Sequence, residues 1–338
     1  MINTLWFLVL TVMLAGYAVL DGFDLGVGAL HLLLARTPAE RETAIAAIGP
    51  VWNGNEVWLL AAGGSMVVAF PHLYAAAFSG FYLALMIVLW LLVLRGIAIE
   101  FRHQVDHPMW RDAWDVTFCL SSALLAVLFG AAVGNVLRGV PFDIEGNFRG
   151  SFALLLNPFA LLCGVLSLFA LGLHGAAYLA MKTDGPLQQR ARRSVVPLWI
   201  GMVVLLAAVT GASFVVQPGF TGNFARWPVL ALVPLLGAAA AISIPLFRRS
   251  GRDTATFLSS ATLIVCVLGS AAAGLYPRLL PGLPGSAISG LDIHNAASSA
   301  RSMTIALGVY LFGMAIVIVY LVNVYRVWGG KATTGYHA

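Results

Sequence analysis

The chain has 338 residues, of which 60% are apolar and only 10% are Asp, Glu, Lys or Arg. Soluble domains contain about 25% charged residues, and the mean hydropathy of this chain is +0.90. These values exclude a water-soluble enzyme, a nucleic-acid-binding protein and a disordered protein as first interpretations. They indicate an integral membrane protein. The net charge of +5 needs no nucleic-acid partner, because basic residues gather on one side of a membrane protein and face anionic lipid.

Nine apolar runs approach or exceed the roughly 20 residues that a helix needs to cross a bilayer. They predict an all-α integral membrane protein in which residues 1–338 form a single polytopic transmembrane domain. The predicted spans are 4–34, 50–70, 74–95, 114–137, 152–181, 195–217, 227–247, 254–276 and 301–328. The first exceeds the bilayer thickness, so we expect it to tilt, protrude or change pitch near Gly22, Gly26 and Gly28. Gly22, Gly26, Gly63 and Gly64 are predicted to be helix-packing positions.

The distribution of Lys and Arg predicts the orientation of the chain. When the connecting segments are counted alternately, one set carries 14 of the 19 basic residues and the other set carries the remaining five. We expect the richer set to face the cytoplasm. The N-terminus is then outside and the C-terminus is cytoplasmic, which agrees with an odd number of spans.

Two polar clusters interrupt the first two spans. Asp21 and Asp24 lie three residues apart, and so do Asn53 and Glu56, so each pair shares a helix face. A charged side chain costs roughly 2.5–3.5 kcal/mol to insert into hydrocarbon, and a chain that keeps such residues generally uses them. Both pairs fall toward the predicted inner side, on consecutive helices that we expect to be neighbours. The pattern favours a path for protons from the cytoplasm.

Structural pairing is the alternative for the same residues. Asp21 would cap a broken helix, and Asp24 would pair with Arg36 or Arg95. Glu56 would then lie solvated among the lipid headgroups. The residue pattern by itself leaves both interpretations open.

Histidines and cysteines give no pattern for a bound metal. Of the histidines, only His31 and His174 fall within predicted spans, and no two are spaced as an axial pair within one span. The others lie in predicted loops or tails: His72, His103, His107, His294 and His337. We interpret His174 as a buried, hydrogen-bonded side chain rather than a heme ligand. The cysteines are widely spaced within apolar runs, so we predict neither a disulfide nor a metal site.

Seven sequence motifs carry a resemblance to a known family. They are DGFDLGVG at 21–28, GPVWNGNEVW at 49–58, YAAAFSGFY at 74–82, RGIAIEFR at 95–102, GN at 134–135, GVPF at 139–142 and LNPF at 156–159. Together they closely resemble subunit II of the cytochrome bd-type quinol oxidases, in a shorter form similar to the cyanide-insensitive branch. The resemblance covers the whole chain and is weakest beyond residue 220.

The resemblance implies a two-subunit enzyme core in the bacterial inner (plasma) membrane, which oxidises quinol and reduces oxygen to water. The protons for water come from the cytoplasm, so a gradient forms without pumping. Two b-type hemes and one d-type heme are implied on the partner, subunit I. Subunit II is implied to have nine spans, arranged as two four-helix bundles plus one peripheral helix. Some members add a structural quinone in subunit II or a small single-span accessory subunit.

The resemblance also suggests roles for individual residues. Asp21 and Asp24 match the paired acids of the family, and Trp52 matches the tryptophan that opens the second-span motif. The next family position is usually an Asp associated with proton uptake. Here it is Asn53, which cannot ionise, so Glu56, one turn further along, is the predicted substitute.

Two further groups of residues match the family. Trp52 and Trp58 are candidate neighbours of a quinone or heme, and Arg95, Glu100 and Arg102 are predicted to form ion pairs at the inner surface. A rival from another functional class is a proton- or ion-coupled secondary transporter, because such proteins also place polar clusters on broken helices.

Overall fold

A computed structural model describes residues 1–332, so His337 lies outside the described residues. The described chain consists of helices and one small antiparallel sheet. The helices are α1 (Ile2–Leu34), α2 (Pro38–Ile48), α3 (Trp52–Ala69), α4 (Pro71–Gly80), α5 (Tyr82–Phe101), α6 (Pro108–Arg138), α7 (Phe152–Leu155), α8 (Pro158–Lys182), α9 (Gly185–Val216), α10 (Gly222–Arg226), α11 (Leu232–Arg249), α12 (Asp253–Leu275) and α13 (Ala300–Val327). A 3-10 turn (Pro228–Ala231) precedes α11, and strands β1 (Arg278–Pro281) and β2 (Gly290–Asp292) pair between α12 and α13.

Within residues 1–332, eight helices are long and apolar enough to cross a membrane. They are α1, α5, α6, α8, α9, α11 with its 3-10 turn, α12 and α13, and they correspond to eight of the nine predicted spans. The remaining predicted span, 50–70, contains α3, which has 18 residues and carries Asn53, Asn55 and Glu56. These polar residues lower its hydropathy. The count of nine crossings and the division into two four-helix bundles therefore stay predictions.

Two predicted spans are interrupted in the structure. The span expected at 74–95 is divided at Phe81, and its second part, α5, continues to Phe101. A Cβ added to Gly80 would lie 2.6 Å from Cγ of Phe148, so a side chain from a distant loop lies against the break. The span expected at 152–181 is divided before Pro158, which lacks a backbone N–H and therefore begins α8.

Helix α1 lies at the centre of the packing, in contact with α3, α6, α8 and α12. It crosses α8 where Gly26 meets Gly175. A Cβ on Gly26 would lie 1.9 Å from the Leu171 carbonyl oxygen, and a Cβ on Gly175 would lie 2.3 Å from the Gly26 carbonyl carbon. Gly26 is thus a packing position, as predicted. No described atom lies within 4 Å of a Cβ added at Gly63 or Gly64, so neither glycine packs against another described helix of this chain.

The segments that are rich in basic residues meet at one end of the helices. Arg190, near the start of α9, donates through Nε to the Leu34 carbonyl oxygen at the end of α1, at 2.6 Å. Arg41 on α2 donates to Asp112 near the start of α6, at 2.8 Å. The sheet lies at the opposite end. The two ends of the molecule differ in their content of basic residues, as the count of Lys and Arg predicts. Which end faces the cytoplasm stays a prediction.

Candidate functional site

The predicted acidic residues of the first two spans meet around one arginine. Arg95 on α5 donates through Nη1 to Asp21 on α1 at 2.7 Å, and through Nη2 to Glu56 on α3 at 3.4 Å. The side chains of Arg95 and Asp21 are fully buried, whereas Glu56 is 24% exposed. Because α5 continues past the predicted end of its span, Arg95 lies within a helix that packs in the membrane. The three residues link α1, α3 and α5 by charge.

Asp24 is held by an amide instead of a cation. Asn55 on α3 donates through Nδ2 to Asp24 Oδ2 at 2.8 Å. The Tyr325 hydroxyl on α13 donates to Asn55 Oδ1 at 3.0 Å. Asp24 and Asn55 are both buried. Asp24 forms an ion pair with neither Arg36 nor Arg95, which were the two structural alternatives. Arg95 bonds to Asp21 instead.

Several polar atoms of this cluster have no hydrogen-bond partner in the part of the chain that is described. They are Asp21 Oδ2, Asp24 Oδ1 and Arg95 Nε, and all three are buried. Buried polar atoms in proteins are satisfied by protein groups or by ordered water. These atoms are therefore suited to bind water between the two carboxylates, and a line of water and carboxylates can carry protons.

The other predicted site residues lie in different surroundings. Asn53 is exposed, on the far side of α3 from Asp24. The Trp52 ring packs over Gly96 on α5, and the Trp58 ring packs over Gly16 on α1. The prediction that the two tryptophans neighbour a quinone or heme stays a prediction.

Sequence reasoning missed Asn55 and Tyr325. Asn55 lies in the same motif as Glu56, and its polarity within an apolar helix was a usable signal. Tyr325 offered no signal, because its contact with Asn55 joins positions 270 residues apart.

A second ionic cluster surrounds Asp115 near the start of α6. Arg102 donates through Nε to Asp115 Oδ1 at 2.7 Å, and His31 Nε2 lies 2.9 Å from the same oxygen. Arg41 donates to Asp115 Oδ2 at 3.1 Å, and Arg102 Nη1 donates to Glu42 at 2.7 Å. The cluster joins α1, α2, α5 and α6 at the basic end of the molecule.

Arg95 and Arg102 both form ion pairs, but in two separate clusters, and neither pairs with Glu100. Arg95 lies on α5, and Arg102 follows the last residue of that helix, seven residues later and about 10 Å along the axis, so each reaches a different cluster. Glu100 is exposed and forms no ion pair within residues 1–332.

The two buried histidines of the predicted spans, His174 and His31, are held by hydrogen bonds. His174 Nε2 lies 3.0 Å from the Val19 carbonyl oxygen, and its Nδ1 lies 2.7 Å from the Ser260 hydroxyl. Both ring nitrogens are thus engaged, which agrees with the interpretation of His174 as a hydrogen-bonded core residue. Nε2 of His31 is engaged by Asp115, and its Nδ1 has no hydrogen-bond partner within residues 1–332. Among the described residues, no three His, Cys, Asp or Glu side chains are grouped as metal ligands.

Comparisons with known proteins agree with one another. The family model described as cytochrome bd terminal oxidase subunit II matches residues 2–328. Curated relatives include a probable cytochrome oxidase subunit 2 of Haemophilus influenzae, 37% identical over 96% of this chain and 92% of the relative. Subunit 2 of cytochrome bd-I ubiquinol oxidase from Escherichia coli is 32% identical, with the same coverage. Subunit 2 of cytochrome bd ubiquinol oxidase from Bacillus subtilis is 32% identical over 90% of this chain and 89% of the relative.

A solved structure shares the fold. A chain of the bd oxidase from Geobacillus thermodenitrificans superposes with a TM-score of 0.78, covering 97% of this chain and 98% of its own length. The two sequences are 16% identical. At that identity the match supports the arrangement of the helices and says nothing of individual site residues.

Proposed function

The chain belongs to the family of cytochrome bd terminal oxidase subunit II, a subunit of a respiratory oxidoreductase of the inner (plasma) membrane, and from this premise we propose that its complex oxidises quinol and reduces oxygen to water. The names of the Escherichia coli and Bacillus subtilis relatives support ubiquinol as the class of electron donor. The partner is a subunit I that carries the hemes, two of b type and one of d type. This chain supports that partner and forms part of the path by which protons reach it, so that a gradient forms without pumping.

We assign the hemes to the partner because His174, the histidine of this chain that was considered as a heme ligand, is already engaged. His174 uses both ring nitrogens in hydrogen bonds within the core. Expression of the chain without its partner tests the assignment. We expect membranes that contain the isolated chain to show no heme absorbance from it. Stoichiometric heme in the isolated chain would contradict the assignment.

The unpartnered carboxylate oxygens of Asp21 and Asp24 are the observation that carries the proton path. The carboxyl groups of Asp21 and Glu56 share the single guanidinium of Arg95, and the third carboxyl group, on Asp24, is held by the Asn55 amide. Uptake of one proton changes the net charge of this buried group, as a relay requires. Glu56 is the most exposed of the three, so it is the point at which the group opens to the surface of this chain. The positive-inside count supports an orientation in which that point lies toward the cytoplasm.

Glu56→Gln is expected to slow quinol-driven oxygen consumption about 100-fold or more, the scale of losing a proton-transfer group, with hemes still assembled. The amide keeps the size of the side chain and still accepts a hydrogen bond from Arg95, but it cannot ionise. Oxygen uptake and the optical heme content of the purified complex are the two measurements.

Glu145→Gln is the matched control for this substitution. It makes the same change of side chain at an exposed residue in the loop between α6 and α7, away from the cluster. We expect its turnover to equal that of the unmodified complex. Unchanged turnover in Glu56→Gln would remove Glu56 from the path.

An optical spectrum separates the oxidase from the rival, a proton- or ion-coupled secondary transporter. Polar clusters on interrupted helices are compatible with both classes. A far-red band of heme d in the complex purified through this chain supports the oxidase. A complex with no such band, which moves a solute with protons, supports the transporter.

A further inference from the structure

Helix α13 lies at the edge of the packed helices, in contact with α1 and α3. Met303 is the one residue of Ala300–Val327 that is buried. At that end, Trp6 of α1 donates through Nε1 to the Met303 carbonyl oxygen at 3.1 Å, and the Trp6 ring centre lies 5.7 Å from that of Tyr310. The turns from 320 to 327 contain no buried residue, so the polar contacts of that end matter most for its position.

Residues 328–332, which follow α13, are bound to the last residue of α8. Lys182 donates through Nζ to the carbonyl oxygens of Trp328 and Gly330, the second at 2.8 Å. In return, the backbone N–H of Ala332 donates to the Lys182 carbonyl oxygen at 2.7 Å. The last carbonyl groups of a helix have no partner within it, and a lysine is well suited to bind them. Lys182 therefore caps α13 and fixes its end against α8.

Tyr325 lies one turn before this anchored end. Its hydroxyl donates to Asn55 Oδ1 at 3.0 Å, and Asn55 donates through Nδ2 to Asp24 Oδ2 at 2.8 Å. Asn55 and Asp24 are both buried. The amide thus has one partner at each end, and the two bonds together fix its orientation. Because Oδ2 of Asp24 is occupied, its Oδ1, which has no partner among the described residues, is the oxygen open to a proton.

We propose that Tyr325 is a positioning residue for proton exchange at Asp24, and that Lys182 holds α13 where the Tyr325 hydroxyl reaches Asn55. This inference rests on the proposed function of Asp24. Tyr325 acts through Asn55 and takes up no proton itself. Without the hydroxyl, Asn55 Oδ1 becomes a buried acceptor that lacks a donor, which proteins avoid. The amide then turns toward another partner, and Asp24 loses the bond that leaves its Oδ1 free.

Tyr325→Phe tests this inference, with Tyr320→Phe as the matched control on the same helix. The change removes one hydroxyl and keeps the ring, so the heme content of the complex should be unchanged. We expect oxygen consumption to fall about tenfold, within the range expected for a small displacement at a reacting group. Tyr320 is 53% exposed, and its variant should show normal turnover. Normal turnover in Tyr325→Phe would overturn the inference.

A cycle of two variants separates positioning from a general loss of stability. Asp24→Asn is expected to slow turnover about 100-fold. If Tyr325 acts through Asp24, adding Tyr325→Phe to Asp24→Asn should lower turnover no further, because the effects of residues that act as one unit do not add. A further tenfold loss in the double variant would mean that Tyr325 acts independently of Asp24, and the inference would then be wrong.

Lys182→Met and Lys182→Arg test the anchored end of α13. Methionine cannot donate to the two carbonyl oxygens, whereas arginine has several N–H donors and can replace the ammonium. We expect Lys182→Met to slow turnover by no more than Tyr325→Phe does, to add nothing in the Tyr325→Phe background, and to be rescued in Lys182→Arg. Normal turnover in Lys182→Met would contradict the role given to Lys182.

The same variants separate this inference from the proposed function. Slow turnover in Asp24→Asn with normal turnover in Tyr325→Phe would overturn the inference and leave the proposed function intact. Normal turnover in Asp24→Asn would overturn the proposed function of Asp24, and the inference with it.

Discussion

Arg95→Met is expected to prevent most of the complex from assembling. The guanidinium bonds to Asp21 at 2.7 Å and to Glu56 at 3.4 Å, and Asp21 has no contact with solvent. Loss of one member of a buried ion pair costs about 3–5 kcal/mol, because the remaining charge stays buried without compensation. The same bonds link α1, α3 and α5, so their loss also removes the polar connection among three helices, although α1 and α3 still pack against each other. Heme content per milligram of membrane protein and the melting temperature of the purified complex measure the effect.

Two comparisons show whether burial of the carboxylate is the cause. Arg111→Gln removes an arginine whose partner, Asp106, is almost fully exposed, and exposed pairs contribute little, so we expect normal assembly. The double variant Arg95→Met/Asp21→Asn removes the orphaned charge as well. It should recover part of the assembly that Arg95→Met loses. Normal assembly of Arg95→Met alone would contradict a structural role for the pair.

The positions of most helices could be predicted from hydropathy, because the free energy of burying a side chain in lipid is a local property of the sequence. The break at Pro158 also had a local cause, namely the missing N–H. The break at Phe81 had none. It lies within an apolar run, and the Phe148 ring that lies against Gly80 comes from a loop more than 60 residues later. Apolar composition predicts that a segment is buried, but it does not predict whether the segment forms one helix or two.

The candidate site was predictable as a set of acids but not as a bonding pattern. Asp21, Asp24 and Glu56 stand out because charge in an apolar run is costly. The rotation of α3 about its axis, which turns Asn55 toward Asp24 and Asn53 outward, depends on packing against α1 and α13. Spacing in the sequence shows which residues share a face and not which face meets a neighbour. The central position of Arg95 depends on α5 continuing past the predicted end of its span.

Gly26→Ala is the second substitution with a large expected effect, and it acts through shape instead of charge. The new Cβ would lie 1.9 Å from the Leu171 carbonyl oxygen and 2.8 Å from the Gly175 nitrogen. Both are backbone atoms that no side-chain rotation can move, so α1 and α8 must separate. Overpacking costs about 1–3 kcal/mol where side chains can adjust, and we expect the upper end of that range or more here. The melting temperature of the complex measures the loss.

Gly211→Ala on α9 is the control for helix propensity, because Gly211 is exposed and no described atom lies within 4 Å of its added Cβ. It should leave the melting temperature unchanged or raise it. Asp24 lies only two residues before Gly26, so displacement of α1 also stretches the bond from Asn55. In Gly26→Ala we therefore expect turnover and melting temperature to fall together, whereas Glu56→Gln lowers turnover alone. A Gly26→Ala complex that melts normally would mean that α1 and α8 can move apart without cost, and the crossing would then not be what holds Asp24 in place.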